Sequence, residues 1–155
     1  MNYRSVIVSI ILLCSFYSLS NAQLLISNGI VYNIVADNEV EVYKVYNHPV
    51  HNIPDKILHA GLTWNVVGLA DRSFSLCYPL EYVVLPSSLR YIGHKAFEDC
   101  KNLKEIHINA TKPPITAPDF LDQIHNVPII SVPRNSYDSY FNNQLWGRFR
   151  KKPNP

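Results

Sequence analysis

Phe74-x-x-Cys77-x-x-Leu80-x-x-Val83-x-Leu85 returns 23 residues later as Phe97-x-x-Cys100-x-x-Leu103-x-x-Ile106-x-Ile108, matched in type at five positions with no gap. Leu89 and Ile92 fall on Val66 and Leu69 at the same offset. A fixed period in the low twenties marks a coil in which each turn adds a short strand. One turn cannot bury its own apolar residues; the next turn must do so. The expected fold is a β-rich (α+β) solenoid of about three turns, an architecture that presents surfaces more readily than catalytic pockets.

Alternation along each strand sets what points inward. Leu80, Val83 and Leu85 face the core, as do Leu103, Ile106 and Ile108. Glu81, Tyr82 and Val84 are left outside, above Lys104, Glu105 and His107 of the next turn. Tyr82, Val84, Glu105 and His107 are therefore the candidate ligand-contacting residues. Glu81 and Lys104 should pair laterally, worth at most about 1 kcal/mol on a surface.

The ends differ from this middle. Gly29 to Val35 and Val40 to Val45 read as strands joined at Asp37-Asn38, a hairpin capping the first turn. An irregular first turn runs from Ile53 to Phe74, with extra residues around His59 to Trp64. After Ile108 the motif stops and Pro113-Pro114 opens an irregular stretch. A strand at 127–133 and a short helix holding Tyr137, Tyr140 and Phe141, capped by Asn135 or Ser136, should follow. Trp146 and Phe149 would lie over the last turn. The division is 1–22 signal peptide, 23–52 N-terminal β cap, 53–112 repeats, and 113–155 C-terminal cap and tail.

Met1-Asn2-Tyr3-Arg4, the apolar stretch Val6 to Phe16 and the small residues before Gln23 follow the three-part pattern of a cleaved signal peptide. The apolar stretch is short of the roughly 20 residues a bilayer span needs. Cys14 reads as part of that apolar core, because Leu12-Leu13 do not suit lipid attachment. Without Arg4, 13 of the 14 basic residues face 12 acidic ones, a net charge of +1. That balance carries no footprint for nucleic acid. The basic run Arg148, Arg150, Lys151, Lys152 reads as a frayed, solvated tail. The mature chain shows no transmembrane segment, so the expected location is extracellular or at the cell surface.

Cys77 and Cys100 occupy the same place in successive turns. Stacked strands about 4.8 Å apart would allow a disulfide, whereas two buried free thiols pack equally well; the second reading is favoured. His48-x-x-His51 with His59 could supply imidazoles to a metal, but no cysteine or carboxylate completes a ligand set. Asp71, His94 and Ser87 lack any nucleophile elbow. Asn109-Ala110-Thr111 fits an N-glycosylation acceptor, relevant only in a eukaryotic secretory pathway. No cofactor is expected.

Leu85-Pro86-Ser87-Ser88-Leu89-Arg90-Tyr91-Ile92-Gly93-His94-Lys95-Ala96-Phe97-Glu98-Asp99-Cys100-Lys101-Asn102-Leu103-Lys104-Glu105-Ile106 resembles a turn of the BspA-like leucine-rich-repeat family. The preceding turn is similar through Phe74, Cys77, Leu80, Val83 and Leu85, with Ser73 where the family has alanine. Gly29 to Tyr32 with Thr63 to Gly68 resemble the family's first turn, and Pro113-Pro114 and Val132-Pro133 through Tyr140 and Trp146 resemble the closing segment of short secreted bacteroidete members. The resemblance implies a right-handed leucine-rich-repeat coil in an exported, non-enzymatic protein that adheres to or binds a protein or glycan. The alternatives are a small metal-dependent hydrolase using the His48/His51/His59 region and a structural component of a surface assembly.

Overall fold

The computed structural model of the chain describes residues 23–46, 52–124 and 126–153, with the side chains of 150–153 excepted. The expected signal peptide, His48 and His51 lie outside these residues. Among the described residues no helix is long and apolar enough to cross a membrane.

The strands are β1 (Leu24–Ser27), β2 (Ile30–Ala36), β3 (Glu39–Val45), β4 (Lys56–His59), β5 (Leu62–Leu69), β6 (Tyr82–Leu85), β7 (Tyr91–Ile92), β8 (Glu105–Ile108), β9 (Ile115–Thr116), β10 (Ile129–Val132) and β11 (Arg150–Pro153). They form two sheets. The seven-stranded one runs β1-β2-β3-β5-β7-β9 with β4 paired to β5, and the four-stranded one runs β11-β10-β8-β6. Successive coil strands pair in parallel within each sheet, as a solenoid requires. The chain winds between the sheets for about four turns.

The expected hairpin is present as β2–β3, with Asn38 in the left-handed region at φ 57°. It belongs to a three-stranded meander, because Asn28-Gly29 at φ 50° and 77° turns β1 back onto β2. Positive φ at both central residues is what a tight turn between twisted strands needs. β3 pairs in parallel with β5, so the last cap strand is also the first strand of the coil. The surplus residues around His59 to Trp64 form the β4–β5 hairpin, turning at Ala60-Gly61.

The core is a stack of repeated side chains. Leu80, Val83, Leu85, Leu103, Ile106 and Ile108 are all buried, as alternation requires. Phe74 and Phe97 stack with ring centroids 5.0 Å apart and planes 22° apart. The corner that carries each phenylalanine bonds to the next turn: Phe74 N–H donates to Ala96 O at 2.8 Å, and Phe97 N–H to Phe120 O at 2.9 Å. Arg72 and Leu76 adopt left-handed φ there, as do Lys95 and Asp99 one turn later, and Gln123 in the turn after that. Such residues incur steric cost. The bonds from Arg72 N–H to His94 O and from Leu76 N–H to Glu98 O, both 2.9 Å, offset it. Ion pairs line the same corner: Arg72 with Glu98 at 3.2 Å, and Lys95 with Glu98 and Asp122, each at 3.1 Å. Their mutual hydrogen bonds hold the Lys95 ammonium above, and the Glu98 carboxyl below, its ordinary range.

The coil outlasts the sequence motif. β9 joins the larger sheet and β10 the smaller, so a further turn follows Ile108. Phe120 stands 23 residues after Phe97, and Ile130 and Val132 stand 24 after Ile106 and Ile108. All three are fully buried. The expected helix is α1 (Tyr137–Phe141), preceded by a 3₁₀ turn over Arg134–Ser136. Ser136 sits at its N-cap, but no side-chain cap bond forms; its hydroxyl donates to Asn135 Oδ1 at 3.3 Å. Trp146 closes the end as expected, 5.5 Å from both Phe120 and Tyr140, with Phe149 edge-on to Phe120 at 5.6 Å. The basic tail departs from its reading as a frayed end. Residues 150–153 form β11, parallel to β10. Charge and proline content misled there because the outer edge of β10 offers backbone groups that pair whatever the side chains are.

Ser73 stands where the next turn has Ala96, and it is fully buried with no partner for its hydroxyl. An unpaired buried hydroxyl is destabilising, so Ser73→Ala should raise stability by about 1 kcal/mol in urea unfolding. A comparable loss of stability would show that the hydroxyl has a partner.

Candidate functional site: the outer face of the four-stranded sheet

Register brings the four expected side chains together. Tyr82 pairs with Glu105 and Val84 with His107, so all four project from the same face of β6 and β8. Tyr82 is 46% exposed; Val84, Glu105 and His107 are partly buried. His107 Nε2 lies 3.1 Å from Glu105 Oε1, two residues apart on one strand face, which fixes the imidazole against its carboxylate. The neighbouring Lys104–Glu81 pair forms as expected at 2.7 Å, with both side chains largely in solvent.

The face extends further than the motif indicates. Ile129 pairs with Glu105 and adds a partly buried aliphatic side chain, whereas Ser131, paired with His107, is fully buried beneath the surface. At the other edge Asn52 bridges to Val84, and Ile53 N–H donates to Val84 O at 2.9 Å. Ile129 and Ser131 were missed because their strand falls 24, not 23, residues after β8, although the Phe97-to-Phe120 spacing carries that signal. The result is a mixed surface of one exposed ring, an acid–imidazole pair and aliphatic carbon. It offers donors, acceptors and apolar contact, and no arranged nucleophile.

Other chemistry-bearing residues do not converge. Cys77 and Cys100 are buried thiols with no disulfide between them. Cys100 Sγ–H donates to Phe74 O at 3.1 Å. Burial pushes the Cys77 thiol up and that of Cys100 up to about 12, so both stay protonated at neutral pH. Asp71, His94 and Ser87 are engaged separately: Asp71 Oδ1 accepts the His94 backbone N–H at 2.7 Å, the His94 ring meets Asp119 at 2.9 Å, and Ser87 Oγ–H donates to Asp55 Oδ1 at 2.9 Å. His59 ends β4, and among the described residues no group of three His, Cys, Asp or Glu could hold a metal ion.

The family described as "BspA type Leucine rich repeat region (6 copies)" matches residues 62–144, more than half of the chain. Among solved structures, the chain is similar to a leucine rich cell surface protein from Faecalibacterium prausnitzii. The TM-score is 0.57 and the identity 20%, over 75% of this chain and 38% of that one. It is also similar to a leucine-rich repeat protein from Bacteroides capillosus, with a TM-score of 0.52 and 17% identity over 72% of this chain and 83% of that one. At these identities the likeness is one of fold. The chain spans well under half of the Faecalibacterium protein. No curated protein matches it in sequence.

Proposed function

Because the chain belongs to the BspA-type leucine-rich-repeat family, we propose that it is an exported, non-catalytic recognition module, working at the cell surface or in the extracellular space. Its partner is a protein or glycan engaged by Tyr82, Val84, Glu105 and His107. The observation that carries this reading is the shared register of those side chains on one face of paired parallel strands, widened by Ile129. The signal-like first 22 residues support export, and the similar Faecalibacterium protein is a cell surface protein. A rigid sheet face holds its side chains in place before binding, which lowers the ordering cost of association.

The test is binding of residues 23–155 to a glycan array and to proteins of a mucosal extract, compared with the double substitution Tyr82→Ala, His107→Ala. Neither side chain is part of the coil's core, so the variant should melt normally. Loss of at least about tenfold in affinity is expected from removing an aromatic and a hydrogen-bonding contact. Unchanged binding would overturn the assignment of this face. Metal-dependent hydrolysis lost on His59→Ala would favour the enzymatic alternative instead.

A further inference from the structure

A depression lies on the other, seven-stranded sheet. Glu41, Gly68 and Tyr91 are register partners across β3, β5 and β7, so they share one outward row. Because Gly68 has no side chain, the Tyr91 ring lies flat over it; a Cβ there would meet the ring at 2.1 Å. The Tyr91 hydroxyl donates to Glu41 Oε2 at 2.8 Å, and Asn33 Nδ2 donates to Glu41 Oε1 at 3.0 Å. Beside them it opens to about 390 Å³, lined by Glu41, Tyr43, Leu69, Asp71, Tyr91 and Gly93.

The chemistry of this depression is one-sided. Among the described residues it is lined by two carboxylates and two tyrosine rings and by no lysine, arginine or histidine. The nearby basic side chains are engaged elsewhere: Arg90 with Glu39, Lys44 with Ser75 and the Arg72 carbonyl, and His94 with Asp119. The Tyr91 hydroxyl already spends its proton on Glu41. Ionised carboxylates only accept hydrogen bonds. The lining is therefore rich in acceptors and poor in donors, and Tyr43, 44% exposed, keeps a ring at the rim. A ligand that brings N–H donors and positive charge meets every group present: it bonds the carboxylates and lies against the ring faces. Asn33 and Tyr91 hold Glu41 in place, so the acceptor is preorganised.

We propose that this depression binds an organic cation, a guanidinium or ammonium group, presented by a partner's side chain or by a small amine. It is separate from the strand face assigned above, and neither reading depends on the other. The test is NMR titration of residues 23–155 with N-acetyl-arginine amide, its neutral citrulline counterpart and spermidine. Shifts at Tyr43, Asp71 and Tyr91 are expected with the arginine and amine probes and not with citrulline. Preference for the arginine probe assigns the cation to a protein side chain, and preference for spermidine assigns it to a free amine. Glu41→Gln should weaken binding about tenfold or more, by loss of a charge-assisted bond. Tyr43→Ala, at an exposed ring, should weaken it while leaving the melting temperature unchanged. An equal response to citrulline, or no response to either cation, overturns the proposal.

Discussion

Replacing Phe97 by alanine should destabilise the protein by about 4 kcal/mol, within the range measured for emptying a buried aromatic site. Phe97 is fully buried, stacks on Phe74 at 5.0 Å, and its backbone N–H donates to Phe120 O in the next turn. The turns on either side are pinned to it by parallel strand pairing and corner bonds, so the space left by the ring cannot close by local collapse. In a coil each turn touches only its neighbours, and a defect in a middle turn weakens two interfaces at once. A typical domain has only about 5–15 kcal/mol in total, so the variant should sit near its folding limit. Urea unfolding measures this directly. Ile115→Ala, at a side chain 83% exposed on β9, should change stability little and serves as the control. A loss under about 1 kcal/mol for Phe97→Ala would mean that the turns do not pack through this ring.

The second large effect is expected at Gly93. A Cβ there would lie 2.6 Å from the Asp71 backbone nitrogen and 2.8 Å from the Ala70 carbonyl carbon, both in the preceding turn. Backbone cannot swing aside as a side chain can. The approach is also fixed by bonds from Gly93 N–H to Leu69 O at 2.8 Å and from His94 N–H to Asp71 Oδ1 at 2.7 Å. Gly93→Ala should therefore cost about 3 kcal/mol, the upper part of the usual overpacking range. Gly61 gives the contrast: its Cβ would meet nothing within 4 Å, and only its φ of +77° opposes a side chain. Gly61→Ala should cost about 1 kcal/mol from backbone strain alone. Equal costs at the two sites would show that the turns lie further apart than described.

Gly93 also illustrates what a sequence reveals. From sequence alone, a glycine at this place in the repeat reads as a tight turn. Its φ is not in the left-handed region; the cause is close approach between turns, which no local pattern reports. Two turns and the inward faces of β6 and β8 were legible because a strand period of two and an offset of 23 leave one arrangement of Leu80 to Leu85 and Leu103 to Ile108. The same arithmetic placed Tyr82 beside Glu105 and Val84 beside His107. The following turn was hidden because Gln123 replaces the cysteine, prolines interrupt the stretch, and the offset slips to 24 at Ile130. The left-handed corners at Arg72, Leu76 and Asp99 carry no glycine to announce them, being held by backbone bonds to the next turn. The depression on the larger sheet was equally invisible, since Glu41 and Tyr91 are 50 residues apart and meet only across Gly68.

The outer face of the four-stranded sheet is the proposed site of recognition. The most direct measurement is NMR chemical-shift mapping of residues 23–155, titrated with the glycan or protein fraction that the unsubstituted chain retains. Shifts concentrated at Tyr82, Val84, Glu105, His107 and Ile129 are expected, with the N-terminal meander silent. Shifts confined to β1, β2 and β3, with that face unchanged, would contradict it.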